Sequence, residues 1–417
     1  MSTWLLFSLV ADIALASTTA IPSSISFDEA LGLSKAAPEL RGAERAVEEQ
    51  RNLVGAIPSM TQNPQFYVQP GFRLKPVENQ GIELQGNVMQ SWNLAGLSSA
   101  RRKAAHAETD ALTAEARALA LSTKLGIARA WIDLWAAEKT LVVAQEEAAL
   151  AADFVKMVDK ALAASAATKA DTADARAYQA EARIAVIGAE GAVFERSLEL
   201  GRELSRTATM LAARGDLPAP SLPEQNTWKA LQKRAMSLPL AQQKTLAARA
   251  ERARVVEEHA AKGAQLSLGI ALQRDQPSGF VAFGAVGLTL PMFDEGQRER
   301  SVTVARAARL EGERDKAAVD AAADLALAMH EVQHTDEVVV ALSTELLPAL
   351  EQGLASRLHI FEAGEATILE VLNARRSRAA AKSRLSRARA DHAWASVKIW
   401  LLCAAIEEGK TVEEASR

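Results

Sequence analysis

The sequence predicts a mainly α-helical protein with a small β part: long helices paired as coiled coils, four β-strands per chain, and an internal two-fold repeat of about 200 residues. Three observations carry this. First, 86 of the 417 residues are alanine and only 5% are aromatic. Alanine favours helix and close helix–helix approach but buries little area, so thin, tightly spaced helices are expected in place of a thick core. Second, residues 97 to about 163 contain no proline, which allows roughly 100 Å of uninterrupted helix, too long for a compact globule. Third, the chain matches itself at a constant offset of 199–200 residues. Asn63–Val68 aligns with Gly263–Leu268, Gly96 with Gly296, and Thr168–Arg176 with Thr367–Arg375. One offset held over separated segments is the signature of duplication.

The same composition excludes several classes. A single cysteine leaves no disulfide framework and no cysteine-rich zinc site. A net charge of -4 gives no basic face for nucleic acid. A hydrophobic fraction of 49% argues against disorder. Beyond the amino terminus no uncharged apolar stretch reaches about 18 residues, so no transmembrane helix is expected, and a membrane role would fall to strands.

Residues 1–20 contain a short apolar run ending in Ala14-Leu15-Ala16 and are read as an export signal, although no Lys or Arg precedes the run and Asp12 interrupts it. The first repeat covers 21–213, a Pro-rich linker 214–225, the second repeat 226–404 and a tail 405–417. In the first repeat Ser26 can cap a helix whose first turn carries Asp28 and Glu29, and Pro38 restarts a helix to about Val54. Two strands follow, at about 65–74 and 82–91, with Phe66, Val68, Ile82, Leu84 and Val88 alternating with polar residues across a turn at Lys75–Gly81. Helices are then expected over 97–163 and 170–213. The second repeat reads alike: a helix from near Leu222 to Lys262, strands at about 265–273 and 280–290, a helix from 296 to about 359 with a possible kink at Pro348, and a last helix from 367 to about 404.

Strands of about ten residues with one apolar face suit a tilted membrane span. Four strands are too few to close a membrane barrel, for which about eight is the minimum, and an open edge is forbidden in lipid. Spanning strands would therefore have to be pooled, and a trimer would supply a 12-stranded barrel.

Two tandem copies of helix, strand pair and very long helical hairpin resemble the TolC family of outer-membrane efflux proteins. Phe361-Glu-Ala-Gly364-Glu-Ala-Thr367-Ile-Leu-Glu370-Val-Leu-Asn373-Ala374 resembles the segment at the family's periplasmic tip, and Leu288–Gly296 resembles its strand-to-helix junction. Within the family, the chain is most similar to the heavy-metal outer-membrane components. The resemblance implies a homotrimeric passive exit channel in the outer membrane of a Gram-negative bacterium, with a long periplasmic extension and no catalysis or cofactor. Its partners would be a periplasmic adaptor (membrane fusion) protein, an inner-membrane transporter of RND or similar type, and outer-membrane lipid. It also implies that tip acids set cation selectivity. Glu370 falls on the first acidic position; Asn373 replaces the second; Asp171 and Asp174 occupy the matching places in the first repeat, and i,i+3 spacing puts each pair on one face. Phe361, Gly364 and Thr367 would form the tip turn and adaptor contact.

One motif points elsewhere. His330-Glu331-Val-Gln-His334 satisfies H-E-x-x-H, which on a helix can bind zinc with the glutamate as base. It sits within a long helix without an evident third ligand, and at the repeat offset its histidines align with Trp131 and Trp135, which read as a packing pair. A zinc peptidase and a soluble coiled-coil scaffold are the competing readings.

Overall fold

The computed structural model describes residues 23–60, 62–72, 82–206, 210–224, 227–275, 279–293 and 296–415. The export signal expected at 1–20 and the hairpin turn at 75–81 lie outside them. In chain order the elements are β1 (Ser23–Ser26), α1 (Phe27–Gly32), a 3₁₀ turn (Leu33–Ala36), α2 (Pro38–Ala56), β2 (Gln65–Phe72), β3 (Ile82–Asn93), α3 (Leu97–Ala163), α4 (Lys169–Glu203), β4 (Leu211–Arg214), α5 (Trp228–Lys233), a 3₁₀ turn (Ala235–Ser237), α6 (Pro239–Ala261), β5 (Gln265–Asp275), β6 (Gly279–Thr289), α7 (Gln297–Val340), a π-helical turn (Ala341–Leu346), α8 (Leu347–Glu362) and α9 (Ile368–Ala415). They form two compact units: Met1–Ser34 with Leu125–Pro220 and Val332–Val397, and Lys35–Lys124 with Ser221–Glu331 and Lys398–Arg417.

In the first unit, α1 begins at the expected cap. Ser26 Oγ accepts from the Glu29 amide and the Glu29 carboxylate accepts from the Ser26 amide, a reciprocal capping box that satisfies two orphan donors. Before it lies a strand the sequence reading missed. β1 pairs in parallel with β4, Ser23 opposite Leu211 and Ser26 opposite Arg214. The chain thus has six strands among the described residues, four in one sheet and two in another. The expected helix over 170–213 ends at Glu203. Ser205 turns left-handed at φ 53° and the Arg206 amide donates to the Gly201 carbonyl, which closes the helix. With serine in the place usual for glycine, and Leu211-Ala-Ala-Arg poor in β-formers, neither the stop nor the strand has a sequence signal.

This small sheet is held by α3. Trp131 is wholly buried, donates from Nε1 to the Ile25 carbonyl at 2.9 Å, and stands edge-on to Phe27 at 5.5 Å. One turn on, Trp135 Nε1 donates to the Gly215 carbonyl, and Glu138 accepts from the Ala213 amide. Burial raises the Glu138 pKa, against the lowering effect of that amide bond. The tryptophans are therefore more than a packing pair: their ring donors fasten β1 and the start of the linker.

In the second unit the four long strands form one antiparallel sheet in the order β2-β3-β5-β6. β2 is described over Gln65–Phe72, with the rest of its expected span, 73–74, outside the described residues, while β3 and β5 each run about two residues further than expected and β6 is shifted by one. Seams of small residues pack the adjoining helices: Ala107, Ala111 and Ala250 in one cluster, Leu97, Ala100 and Ala260 in another. This is the close spacing that the alanine content predicts. The helix expected from Leu222 begins only at Trp228 and is broken again at Ala235–Ser237, because Pro239 has no amide to donate and drives Leu238 to extended backbone at ψ 139°.

Three expected helices hold, one of them with the limits read from the sequence. α3 spans Leu97–Ala163 as read. Near Pro348, where a kink is possible, the helix passes through a π turn, Ala341–Leu346, before α8 resumes at Leu347. The last helix continues to Ala415, past its expected end near 404. The stretch Gln297–Glu362 contains an 18-residue window of mean hydropathy 1.3 with at most two charges, which satisfies length and composition alone.

Candidate functional site

Two places bring the predicted functional residues together, and each lies within one unit. The first is the pair of turns that close the long hairpins. α3 ends in a left-handed Ser165, φ 55°, with the Ala166 amide donating to Ala161; α8 ends in Gly364, φ 80°, with the Glu365 amide donating to Ile360. These are the same closing bonds, 199 residues apart. Each is followed by a threonine cap. Thr168 Oγ1 accepts from the Asp171 amide and Thr367 Oγ1 from the Glu370 amide.

Asp171 has a second task at its turn. Its carboxylate accepts from the Thr168 amide at 2.8 Å and from the Thr168 hydroxyl at 2.7 Å, and these bonds, the amide first, hold its pKa below the ordinary aspartate value. Its charge therefore fixes the start of α4. Asp174, Glu370 and Asn373 are exposed, as are Gly364 and Thr367, while Phe361 is half-buried. Phe361 packs beneath them against a core drawn from α3, α4, α8 and α9, including Phe154, Val158, Tyr178, Ile368, Val371 and Leu372. The Thr168→Ala substitution is expected to cost about 0.5–2 kcal/mol of local helix stability. Hydrogen exchange should quicken over 169–172 and not over 368–371; equal exchange in both proteins would remove the cap from the account.

The sequence reading missed the charged residues inside this core. The Tyr178 hydroxyl donates to the Glu147 carboxylate, both groups being buried. Burial, then this bond, then the Glu147 charge keep the tyrosine protonated far above its usual range. Arg375 is buried with its guanidinium 5.0 Å from the Phe154 ring, and Arg376 pairs with Glu181 at 2.7 Å while lying over Tyr178. The only available signal was the break in apolar periodicity at Arg375-Arg376, which in sequence is indistinguishable from a solvated face.

The second place is the four-stranded sheet. Its register puts Phe66, Val68, Leu84, Val88, Trp92, Leu266, Leu268, Ile270, Leu272, Phe280, Val286 and Leu288 on one face, with Gln90 and Arg274 as its polar members toward opposite ends. The opposite face carries Gln65, Tyr67, Gln69, Gln85, Asn87, Ser91, Ser267 and Gln273 with glycine and alanine, and Met89, Val281 and Phe283 as its larger apolar members. The apolar face is bare: Phe66 is 73% exposed, Ile270 64%, Phe280 80% and Val286 77%. Soluble proteins rarely leave so continuous an apolar surface open to water.

The H-E-x-x-H residues do not assemble into a metal centre. His330 and His334 are exposed on α7, and Glu331 accepts from Lys398 Nζ at 3.2 Å. Among the described residues no group of three or more His, Cys, Asp or Glu side chains is gathered to hold a metal.

No protein-family model and no curated protein matches the chain. Solved structures do. The open state of the MtrE outer membrane channel of Neisseria gonorrhoeae superposes with a TM-score of 0.71 at 17% identity, over 91% of this chain and 88% of that one. The CmeC outer membrane channel of Campylobacter jejuni gives 0.70 at 15% identity, over 94% and 89%. CusC, described as undergoing conformational changes with folding and transmembrane channel formation, gives 0.66 at 17% identity, over 91% of each chain. With its helical hairpins and four-stranded sheet, this chain has the fold of the TolC-type outer-membrane channels.

Proposed function

We propose that the protein is a passive exit channel of the outer membrane, assembled as a homotrimer. The observation that carries the reading is the sheet with one bare apolar face and one face of amides, hydroxyls and small residues. Three such sheets would close a 12-stranded barrel with lipid outside and water inside, which leaves no open edge in the membrane. The repeated closing bonds and caps at Ser165–Asp171 and Gly364–Glu370 support an internal duplication, giving each protomer two hairpins and the trimer six. The long hairpins would reach into the periplasm to meet an adaptor protein, itself bound to an inner-membrane transporter. Cargo would be small molecules or metal ions, with selection left mainly to the pump.

Fractionation tests the assignment. Heat-modifiable protein in the outer membrane is expected; a soluble rod would make the chain a coiled-coil scaffold instead. The acids of the hairpin ends, the half-buried Asp171 and the exposed Asp174 and Glu370, with Asn373 in place of a fourth, would form a ring that favours cations. In planar bilayers the triple substitution Asp171→Asn, Asp174→Asn, Glu370→Gln is expected to lower the cation preference. An unchanged reversal potential would remove these residues from selectivity.

A further inference from the structure

We infer that a basic cavity at the base of the sheet binds the phosphate of a membrane phospholipid. This rests on the membrane reading above. All four strands meet their helices at one end of the sheet, where Asn93, Gln265 and Thr289 lie in register. That end is where lipid tails would give way to headgroups. Beside it is a cavity of about 550 Å³. Trp92, Ser98, Ser99, Arg102, Lys103 and His106 line it, all contributed by β3 and the first turns of α3.

The lining is graded as a lipid is. Trp92 belongs to the apolar face of the sheet, opposite Leu266, and an indole at this level is the usual interfacial anchor. The polar end lies one to two turns down α3. Arg102 and Lys103 are exposed, and among the described residues neither meets a carboxylate. Their neighbour Arg101, by contrast, is spent on Glu257 at 3.2 Å. Arg102 reaches the Ile57 carbonyl, at 3.5 Å. Two cations, the Ser99 hydroxyl and a histidine at the start of a long helix suit a phosphodiester, which arginine can grip with two parallel bonds, whereas the Ser98 hydroxyl already donates to the Pro58 carbonyl at 2.7 Å. A nucleic acid would need a basic surface far wider than one cavity, and this chain carries a net charge of -4.

The trimer purified from outer membranes in mild detergent would be titrated with phosphatidylglycerol bearing eight-carbon chains, and bound lipid counted by native mass spectrometry. Wild-type protein is expected to hold the lipid, and the Arg102→Ala, Lys103→Ala double variant to lose at least tenfold in affinity. The charge-preserving pair Arg102→Lys, Lys103→Arg should retain most of it, which separates lost charge from misfolding. Equal binding by wild type and the alanine variant would overturn the proposal. Displacement of the lipid by inorganic phosphate at equal concentration would also overturn it in favour of a free-anion site. A wild-type protein absent from the outer membrane would sink the channel reading; a membrane-inserted one indifferent to residues 102 and 103 would sink only this inference.

Discussion

Replacing Trp131 with alanine should destabilise the unit containing it by about 3–5 kcal/mol, the cost of deleting a buried aromatic side chain from a core that cannot collapse into the void. Trp131 is wholly buried, and its ring meets Phe27 edge-on while its Nε1 satisfies the Ile25 carbonyl. It thus fastens β1 and α1 to the middle of α3. Trp131→Phe divides the effect: it keeps most of the ring but strands the carbonyl, for which about 1–3 kcal/mol is expected. Thermal unfolding of detergent-solubilised protein would rank the two, and limited proteolysis should cut near residues 23–32 first in the alanine variant. If both substitutions cost the same, the hydrogen bond alone matters and the packing argument fails.

That site also marks where sequence reasoning stopped. α3 could be read to the residue, because 67 proline-free positions leave little else to form. The cap at Ser26 could be read because a hydroxyl three residues before an acid is a local device; the same device at Thr168 was not read. The β1–β4 pair could not. Its partners lie nearly 190 residues apart, each strand has four residues, and neither carries β-branched or aromatic side chains in alternation. The acids Asp171 and Glu370 lie in the first turns of α4 and α9, yet the capping role of Asp171 and the buried Glu147–Tyr178 pair needed coordinates. Helical periodicity says which face a residue occupies, not what that face meets. The H-E-x-x-H spacing poses the converse problem: it is local, whereas the third ligand a metal needs must come from elsewhere in the fold.

The largest effect is expected where the sheet would meet lipid. Ile270 is at the centre of β5, opposite Val88 on one side and Gly284 on the other, with most of its surface exposed. A lysine at the midplane of a lipid-facing strand costs about 2–4 kcal/mol. The trimer would carry the substitution three times, so Ile270→Lys is expected to suffer about 6–12 kcal/mol and to leave little folded protein in the outer membrane. Gln273→Lys is the control. Three residues along the same strand, it falls on the opposite face, in register with Gln85 and Val281, where water would solvate the ammonium. It should assemble normally and lower the cation preference measured in bilayers. Failure of Gln273→Lys with survival of Ile270→Lys would mean that the two faces are reversed. Survival of both would mean that the sheet never enters lipid. The apolar face would then have to be covered by protein, because left in water it would expose more contiguous apolar surface than a soluble chain ordinarily tolerates.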